Sequence, residues 1–320
     1  MVNYDKIFLV IIMNFFTNEK RYNTLNNYYR AKYQTKVFKI SLNGGFTCPN
    51  IDGTVGRGGC TFCSVLGSGD FAGNKTDPLS VQFEKIKLLM HKKWQDGKYI
   101  VYFQANTNTH APLSHLKELF EEAITLDPRI VMISIGTRPD ALPDDVIDYL
   151  AQLNTRMPVQ IELGLQTIHQ TTSELINRAH DLACFDEAVR KLRDKQLAVV
   201  VHIINGLPNE TPAMMLETAK YLNNLDIQGI KIHMLHIMQK TKMGFDFFKN
   251  PWSLLSLEEY VEITVNQLRS LDPKIIIHRV SGDAPSDLLI APEWTKKKLV
   301  VSNEIDKLMR KLNAYQGDLL

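Results

Sequence analysis

Three of the four cysteines in this 320-residue chain lie within sixteen positions of one another. Cys48, Cys60 and Cys63 have the spacing C-x11-C-x2-C in a glycine-rich segment. Three thiolates can hold three irons of a [4Fe–4S] cluster and leave the fourth iron open to another ligand. They could instead bind zinc together with His91 or His110, because thiolates suit both metals, or they could remain unligated. The spacing favours an iron–sulfur site.

Short β-branched or aromatic runs alternate with longer amphipathic stretches, a pattern typical of βα units around a parallel sheet. The predicted strands span residues 37–42, 100–103, 130–135, 159–163, 198–204 and 229–235, with a later strand at 275–280. The predicted helices span residues 79–94, 113–126, 143–153, 185–195 and 213–224. Six βα units in order predict an α/β fold with a barrel or partial barrel, and a doubly wound open sheet is the alternative.

Polar side chains collect at the carboxyl ends of the predicted strands, where a barrel places its active site. They are Gln104, Asn106 and Thr107 after the second strand, Arg138 after the third, Glu162 and Gln166 on and after the fourth, and His202 on the fifth. On the sixth strand, His233 and His236 have an odd spacing, so at most one of them is expected to line the interior. Such a collection is hard to explain by folding alone and predicts an enzyme.

The composition excludes several classes of protein. Hydrophobic residues make up 44% of the chain and charged residues 22%, which is globular rather than disordered, collagen-like or coiled-coil usage. The net charge of +2 does not by itself indicate a nucleic acid or a membrane partner. Four cysteines are too few for a disulfide scaffold and indicate a reducing compartment. The apolar run at residues 7–16 is too short to span a bilayer and lacks a cleavage site, so we predict a cytoplasmic protein without export signal or membrane span.

The three cysteines after the first strand resemble those of the radical S-adenosylmethionine (SAM) superfamily, in the spacing of its YhcC/YtqA-like branch, which is related to the Elongator catalytic subunit. The resemblance covers about residues 36–317 and rests on the segments GFTCPN, GTVGRGGCTFC, GSGDFAG, YFQANTNTHAP, SIGTRPD, IELGLQTIH, CFDEAVRKLR, SLEEYV and SGDAPSDLLIAPEW.

This resemblance implies a partial (β/α)6 TIM-like barrel in residues 36–245, with an N-terminal helical arm in residues 1–35 and a C-terminal α/β extension in residues 246–320. It also implies a [4Fe–4S] cluster on Cys48, Cys60 and Cys63, with SAM on the open iron. SAM cleavage then yields a 5′-deoxyadenosyl radical that abstracts hydrogen from the substrate, while the protein binds, orients and excludes water.

The resemblance implies roles in SAM binding for several residues. Phe62 matches the aromatic residue near adenine. Gln166 and Arg178 match positions that hold the ribose and the carboxylate of SAM, and the planar fork of arginine suits a carboxylate. Glu162 would bind the ribose or a buried lysine. His202 stands where several relatives carry an acidic ribose ligand.

Gln104, Asn106 and Thr107 replace a glycine-rich segment of many relatives, so we expect them to form polar lining of the SAM site. Alternatively, these three residues cap the end of the strand.

Substrate contacts are expected from charged residues near strand ends, with Arg138 as the first candidate. Others are Thr137, Asp140, Arg279, Asp283 and Asp287. Cys184 begins a helix, whose N-terminal dipole would lower the pKa of its thiol and suit a redox or substrate role. The alternative for Cys184 is a buried, inert thiol.

A basic, aromatic segment precedes the first strand. Between residues 20 and 39 there are six Lys or Arg and no Asp or Glu, with Tyr22, Tyr28, Tyr29 and Tyr33 interleaved. Cations and aromatic faces together suit RNA loops. The alternative is an amphipathic helix whose tyrosines pack on the barrel. A second basic segment includes Lys296, Lys297, Lys298, Lys307, Arg310 and Lys311.

The resemblance implies modification of the 5-substituent of a wobble uridine in tRNA, from carboxymethylaminomethyl to aminomethyl. tRNA and an electron donor such as flavodoxin or ferredoxin would be the partners. The Elongator-type acetyltransferase domain has no counterpart in this sequence. Two alternatives are a radical SAM enzyme acting on a small molecule or protein, and a zinc-binding RNA module.

Overall fold

The computed structural model describes residues 16–64, 67 and 69–320. Its main sheet contains seven parallel strands in the order β1-β2-β3-β4-β5-β6-β8. The strands are β1 (Val37–Leu42), β2 (Lys98–Phe103), β3 (Ile130–Thr137), β4 (Val159–Gln166), β5 (Ala198–Asn205), β6 (Gly229–Met234), the short β7 (Ile237–Met238) and β8 (Ile276–Arg279). The sheet curls into a partial barrel, as predicted. The strand expected at 275–280 is β8, so the C-terminal extension supplies a seventh strand.

Helices cover the outside of the sheet. They are α1 (Leu25–Tyr33), α2 (Pro49–Asp52), α3 (Leu79–His91), α4 (Leu113–Thr125), α5 (Asp144–Asn154), α6 (Gln170–Leu175), α7 (Leu182–Asp194), α8 (Pro212–Tyr221), α9 (Lys242–Lys249), α10 (Leu257–Ser270) and α11 (Lys298–Lys311). The five predicted helices are all present, with ends shifted by up to three residues. For example, α7 begins at Leu182 because the Asp181 side chain accepts a hydrogen bond from the Cys184 backbone N–H.

The two faces of the sheet carry different chemistry. On β4, Ile161, Leu163 and Leu165 point outward into the main apolar core between the strands and the helices. Glu162 and Gly164 alternate with them and face the barrel interior. Strands of a parallel sheet that is covered by helices read as nearly continuous apolar runs, so a charged residue within such a run marks the interior.

The N-terminal segment closes the lower end of the barrel. The Ile277 N–H donates to the Asn23 carbonyl at 2.8 Å, which joins the segment to β8. On α1, Tyr29 is 4% exposed and packs on Ile100 and Met132 near the amino ends of β2 and β3. Helix α1 therefore lies at the end of the barrel opposite the cysteine loop, which follows the carboxyl end of β1.

The two basic segments meet beside α11. Lys20 pairs with Asp306. The Arg21 guanidinium donates to Asn313 Oδ1 at 2.8 Å and stacks on the Tyr315 ring at 4.6 Å. Several of the residues predicted to contact RNA are thus engaged within the fold, and Tyr22 and Tyr29 are buried as the packing alternative expects.

A second, two-stranded antiparallel sheet is formed by β7 and β9 (Leu289–Ala291). Among the described residues, no helix has the length and apolar character needed to cross a bilayer. Most of the apolar run at residues 7–16 lies outside the described residues.

We predict that Tyr29→Ala lowers the free energy of unfolding by about 3–5 kcal/mol, because it removes a buried aromatic ring from the closed end of the barrel. Tyr29→Phe keeps the ring and removes only the hydroxyl that contacts Met132 Sδ at 3.5 Å, so it should cost less than about 1 kcal/mol. Urea unfolding followed by circular dichroism measures both. A decrease below about 1 kcal/mol for Tyr29→Ala would mean that α1 is not packed on the barrel.

Candidate active site

A cavity of about 690 Å³ occupies the barrel interior. It runs from the cysteine loop at the carboxyl ends of the strands to Leu25 and Lys39 near the lower end. Cys48, Cys60 and Cys63 all line it. The three cysteines predicted to act together are therefore brought to one cavity.

Backbone contacts fix the cysteine loop. Cys48 precedes α2, which begins with Pro49. The Thr61 N–H donates to the Ile176 carbonyl at 2.9 Å, and the Met243 N–H donates to the Thr61 carbonyl at 2.8 Å. The loop is thus held by the segment after β4 and by α9, although a glycine-rich sequence alone would leave it mobile.

Asn106 holds the far end of the same loop. Its N–H donates to the Gly67 carbonyl at 2.7 Å, and its Nδ2 donates to the Phe46 carbonyl at 2.9 Å. Gly67 has a φ of +54°, and a Cβ there would lie 1.8 Å from Asn106 Oδ1. Only glycine fits this close approach.

The surroundings of the Cys60 thiol favour its thiolate form. A hydrogen bond with Cys63 and the nearby Arg138 guanidinium lower the pKa of Cys60 to about 7, although burial opposes this. Asn50 Nδ2 also donates to Cys60 Sγ at 3.7 Å. Thiolates are the metal-binding form of cysteine, and the three cysteines that line one cavity match the number of ligands needed by a cluster with one open iron.

The zinc alternative finds no support in the histidines considered for it. His91 Nε2 contacts the Tyr99 hydroxyl at 2.6 Å, and His110 Nε2 contacts Asp52 Oδ2 at 2.9 Å. Neither histidine lines the cavity. Across the described residues, no group of three or more His, Cys, Asp or Glu is placed to hold a single metal ion.

The carboxylate of Glu162 lies fully buried at the centre of the barrel. Its Oε1 accepts from Lys39 Nζ at 2.5 Å and from Ser134 Oγ at 2.8 Å. Its Oε2 accepts from Lys231 Nζ and from His202 Nε2 at 2.8 Å. Burial would raise the pKa of Glu162, but the two lysines hold it well below its ordinary value. Of the two expected partners, ribose or buried lysine, the structure provides the lysines.

His202 lines the cavity beside Glu162. Burial and the Lys231 ammonium lower the pKa of His202 to about 4, so its imidazole is neutral at pH 7. Its ring lies 5.3 Å from that of His233. Phe62, Gln104, Thr107 and Gln166 also line the cavity, and their predicted contacts with SAM stay predictions.

Arg178 is anchored to the backbone after β4. The side chain is 1% exposed and is not part of the cavity lining. Its Nη1 donates to the Leu165 and Thr167 carbonyls at 2.5 and 2.6 Å, and its Nε donates to the His180 carbonyl at 3.0 Å. Its buried Nη2 has no hydrogen-bond partner among the described residues, and the predicted contact with the SAM carboxylate stays a prediction.

Arg138 lies at the cavity wall and pairs with Asp140 through two bonds of 2.9 and 2.6 Å. Cys184 lies outside the cavity lining. Burial and the carboxylates of Asp140 and Asp181 raise the pKa of the Cys184 thiol, so the expected lowering by the helix dipole is wrong.

His233 on β6 and His236 after it both line the cavity, which corrects the expectation of at most one. The strand ends at Met234, so His236 lies beyond the strand and the strict alternation no longer applies. Sequence reasoning also missed the roles of Lys39, Lys231 and His278 in the interior. The sequence did contain a signal for these three residues, because each is a polar residue at an inward-facing position of an otherwise apolar strand.

Comparison with known proteins agrees with this geometry. Residues 52–222 match the Radical SAM superfamily, and residues 227–311 match the Radical_SAM C-terminal domain. The chain is 54% identical to the uncharacterized protein YtqA of Bacillus subtilis, over 93% of this chain and 92% of that protein. It is 26% identical to a tRNA uridine(34) acetyltransferase of Methanocaldococcus jannaschii, over 55% of this chain and 33% of that protein.

The fold is also similar to that of a solved structure, the archaeal Methanocaldococcus infernus Elp3 with an N-terminal deletion. The TM-score is 0.67 with 17% sequence identity, over 88% of this chain and 64% of that chain. Enzymes of the matched family use a [4Fe–4S] cluster and SAM. The extent of the family match, the near-full-length similarity to YtqA and the three cysteines in one barrel cavity establish that this protein belongs to the radical SAM superfamily.

Proposed function

We propose that this radical SAM enzyme acts on tRNA and converts the carboxymethylaminomethyl group on C5 of a wobble uridine to aminomethyl. The conversion would break the bond between the amino nitrogen and the carboxymethyl methylene: loss of one hydrogen atom to the 5′-deoxyadenosyl radical and of one electron to the cluster would leave an iminium group, which water would hydrolyse to the aminomethyl group and glyoxylate. The observation that carries the proposal is the sequence similarity to a protein named for uridine 34 of tRNA, over 55% of this chain. The cavity supports it, because a base edge can enter from the end of the barrel where the cysteines lie.

The proposed roles of the protein follow from the cavity wall. Cys48, Cys60 and Cys63 would hold the cluster, which together with SAM supplies a 5′-deoxyadenosyl radical. Phe62 packs in a small apolar cluster around Leu207 and Ile237, which would keep water from one side of the site. We propose that a flavodoxin or a ferredoxin supplies the electron and that the enzyme works in the cytoplasm.

The position of α1 changes which basic residues we expect to contact tRNA. Arg30 and Lys32 lie on α1, which closes the barrel end opposite the cysteines. In contrast, Lys298 lines the cavity and Lys297 next to it is exposed. We therefore assign the phosphate contacts near the site to Lys297 and Lys298 rather than to the N-terminal arm.

In a strain that lacks the gene for this protein, we predict that carboxymethylaminomethyl uridine accumulates in total tRNA. Wild type should restore the aminomethyl nucleoside, and Cys63→Ala should not, because it removes one of three cluster ligands. Cys184→Ala is the matched control, since that thiol lies outside the cavity. Mass spectrometry of nucleosides from total tRNA measures all four strains.

Each outcome of this experiment decides a part of the proposal. An unchanged tRNA nucleoside profile would overturn the tRNA substrate and favour a small-molecule or protein substrate. Restoration by Cys63→Ala would overturn the assigned cluster ligand.

We predict that Lys297→Glu/Lys298→Glu weakens tRNA binding. The slope of log K against log salt is negative, and it should become less steep by about 1 for each phosphate that the protein no longer neutralises. Arg30→Glu/Lys32→Glu changes the charge equally at the other end of the barrel and should leave the slope nearly unchanged. Filter binding at several salt concentrations measures both slopes. The opposite ranking of the two variants would return the RNA contacts to the N-terminal arm.

A further inference from the structure

The part of the cavity wall formed by β1, β6 and β8 carries several cations. Lys39, Lys231 and Arg279 line it, and the carboxylates of Glu162 and Asp283 face them. Both Glu162 oxygens are already occupied, one by Lys39 and Ser134 and the other by Lys231 and His202. Lys298, which pairs with Asp283, is a fourth cation. Burial lowers the pKa of Lys231 to about 7, but Lys39, Arg279 and Lys298 still outnumber the two carboxylates.

Arg279 has the weakest internal partner of these cations. Its Nη2 lies 3.6 Å from Asp283 Oδ2, beyond hydrogen-bond distance. Lys298 engages the other oxygen of Asp283 at 2.5 Å. The Arg279 side chain is 39% exposed and lines the cavity, so its guanidinium is available to a ligand.

Three histidines add unused hydrogen-bonding groups to the same region. His233 Nε2, His236 Nε2 and His278 Nδ1 are buried and have no hydrogen-bond partner among the described residues. All three residues line the cavity. A neutral imidazole carries one N–H and can donate it to an acceptor. Buried polar atoms are normally paired, so these three nitrogens leave hydrogen-bonding capacity beside the cavity unused.

The charge state of these imidazoles agrees with that picture. Burial and the Arg279 guanidinium hold the pKa of His233 well below its ordinary value. Burial and the Lys39 ammonium do the same for the pKa of His278. The imidazoles are therefore neutral at pH 7. They lie in a positive electrostatic potential, which a bound anion would lower.

We propose that this region, defined by Lys231, Arg279 and His233, is a carboxylate-binding subsite for the substrate. The inference rests on the proposed function, in which the substituent of the wobble uridine ends in a carboxylate. The fork of Arg279 can bind both carboxylate oxygens, and His233 can donate a further bond. Because the subsite lines the same cavity as the three cysteines, we assign it to a group on the base rather than to a backbone phosphate.

The test uses anaerobically reconstituted protein with SAM and three anticodon stem-loop RNAs. They carry at position 34 the carboxymethylaminomethyl uridine, its neutral methyl ester, or unmodified uridine. Wild type should bind the acid roughly 10- to 100-fold more tightly than the ester, as expected for hydrogen bonds to a charged group. Arg279→Gln should reduce this preference to less than about 3-fold. Arg190→Gln, on the outer face of α7 and paired with Glu187 and Asp194, should retain it.

The failures can be told apart. If wild type binds acid and ester equally, and both better than unmodified RNA, the subsite is overturned and the tRNA function stands. If none of the modified RNAs is preferred, the proposed function fails, and calorimetry with N-methylglycine still tests the subsite. This probe carries the same CH₂–COO⁻ unit, and it should bind wild type but not Arg279→Gln; no binding to wild type overturns the subsite.

Binding of SAM provides the last control. The affinity for SAM, measured without RNA, should differ by less than about 3-fold between wild type and Arg279→Gln. An equal decrease in SAM affinity would mean that Arg279 holds the carboxylate of SAM, which overturns the assignment to the substrate. Thermal unfolding of both variants checks that each is folded.

Discussion

The buried carboxylate of Glu162 is the interaction on which the barrel interior depends. It lies on β4 and binds Lys39 on β1, Ser134 on β3, His202 on β5 and Lys231 on β6, so a single side chain connects five strands. A charge with no exposure is tolerated only when it is paired and hydrogen-bonded on every side. Because this polar network lines the interior of the barrel, the apolar core has to lie between the sheet and its helices, where it is found.

The sequence was sufficient for the architecture because the periodicity of parallel strands is a local property. Every predicted strand of the main sheet is present, and the alternation of residues places Glu162 inside and Leu163 in the outer core. The cysteine spacing likewise identified the site. Pairing partners depend on strands far apart in the chain, so whether Glu162 would meet a ribose or a lysine was open until the register of β4, β5 and β6 was known.

The sequence predictions that proved wrong depended on tertiary contacts, which the periodicity of a sequence does not reveal. His236 lines the cavity because β6 stops at Met234, and strand ends depend on tertiary contacts. The thiol of Cys184 does lie at a helix N-terminus, but burial and the Asp140 carboxylate outweigh the effect of the dipole on its pKa. Composition marked the N-terminal arm as basic and aromatic, yet it could not tell which end of the barrel the arm would reach. Lys39, counted with that arm, points instead to the carboxylate of Glu162.

The dimensions of the interior fit a substrate that reaches one layer below the rim. Lys231 and His233 are two residues apart on β6, which corresponds to about 6.6 Å along a strand. An extended substituent of four bonds, from C5 of a uracil to its terminal carboxyl carbon, spans about 5 Å. Since α1 closes the lower end, such a group has to enter past the cysteines. If C5 of a base lay at the level of His233, the terminal carboxyl carbon would come within about 2 Å of the level of Lys231, and the methylene between nitrogen and carboxylate would lie between the two levels.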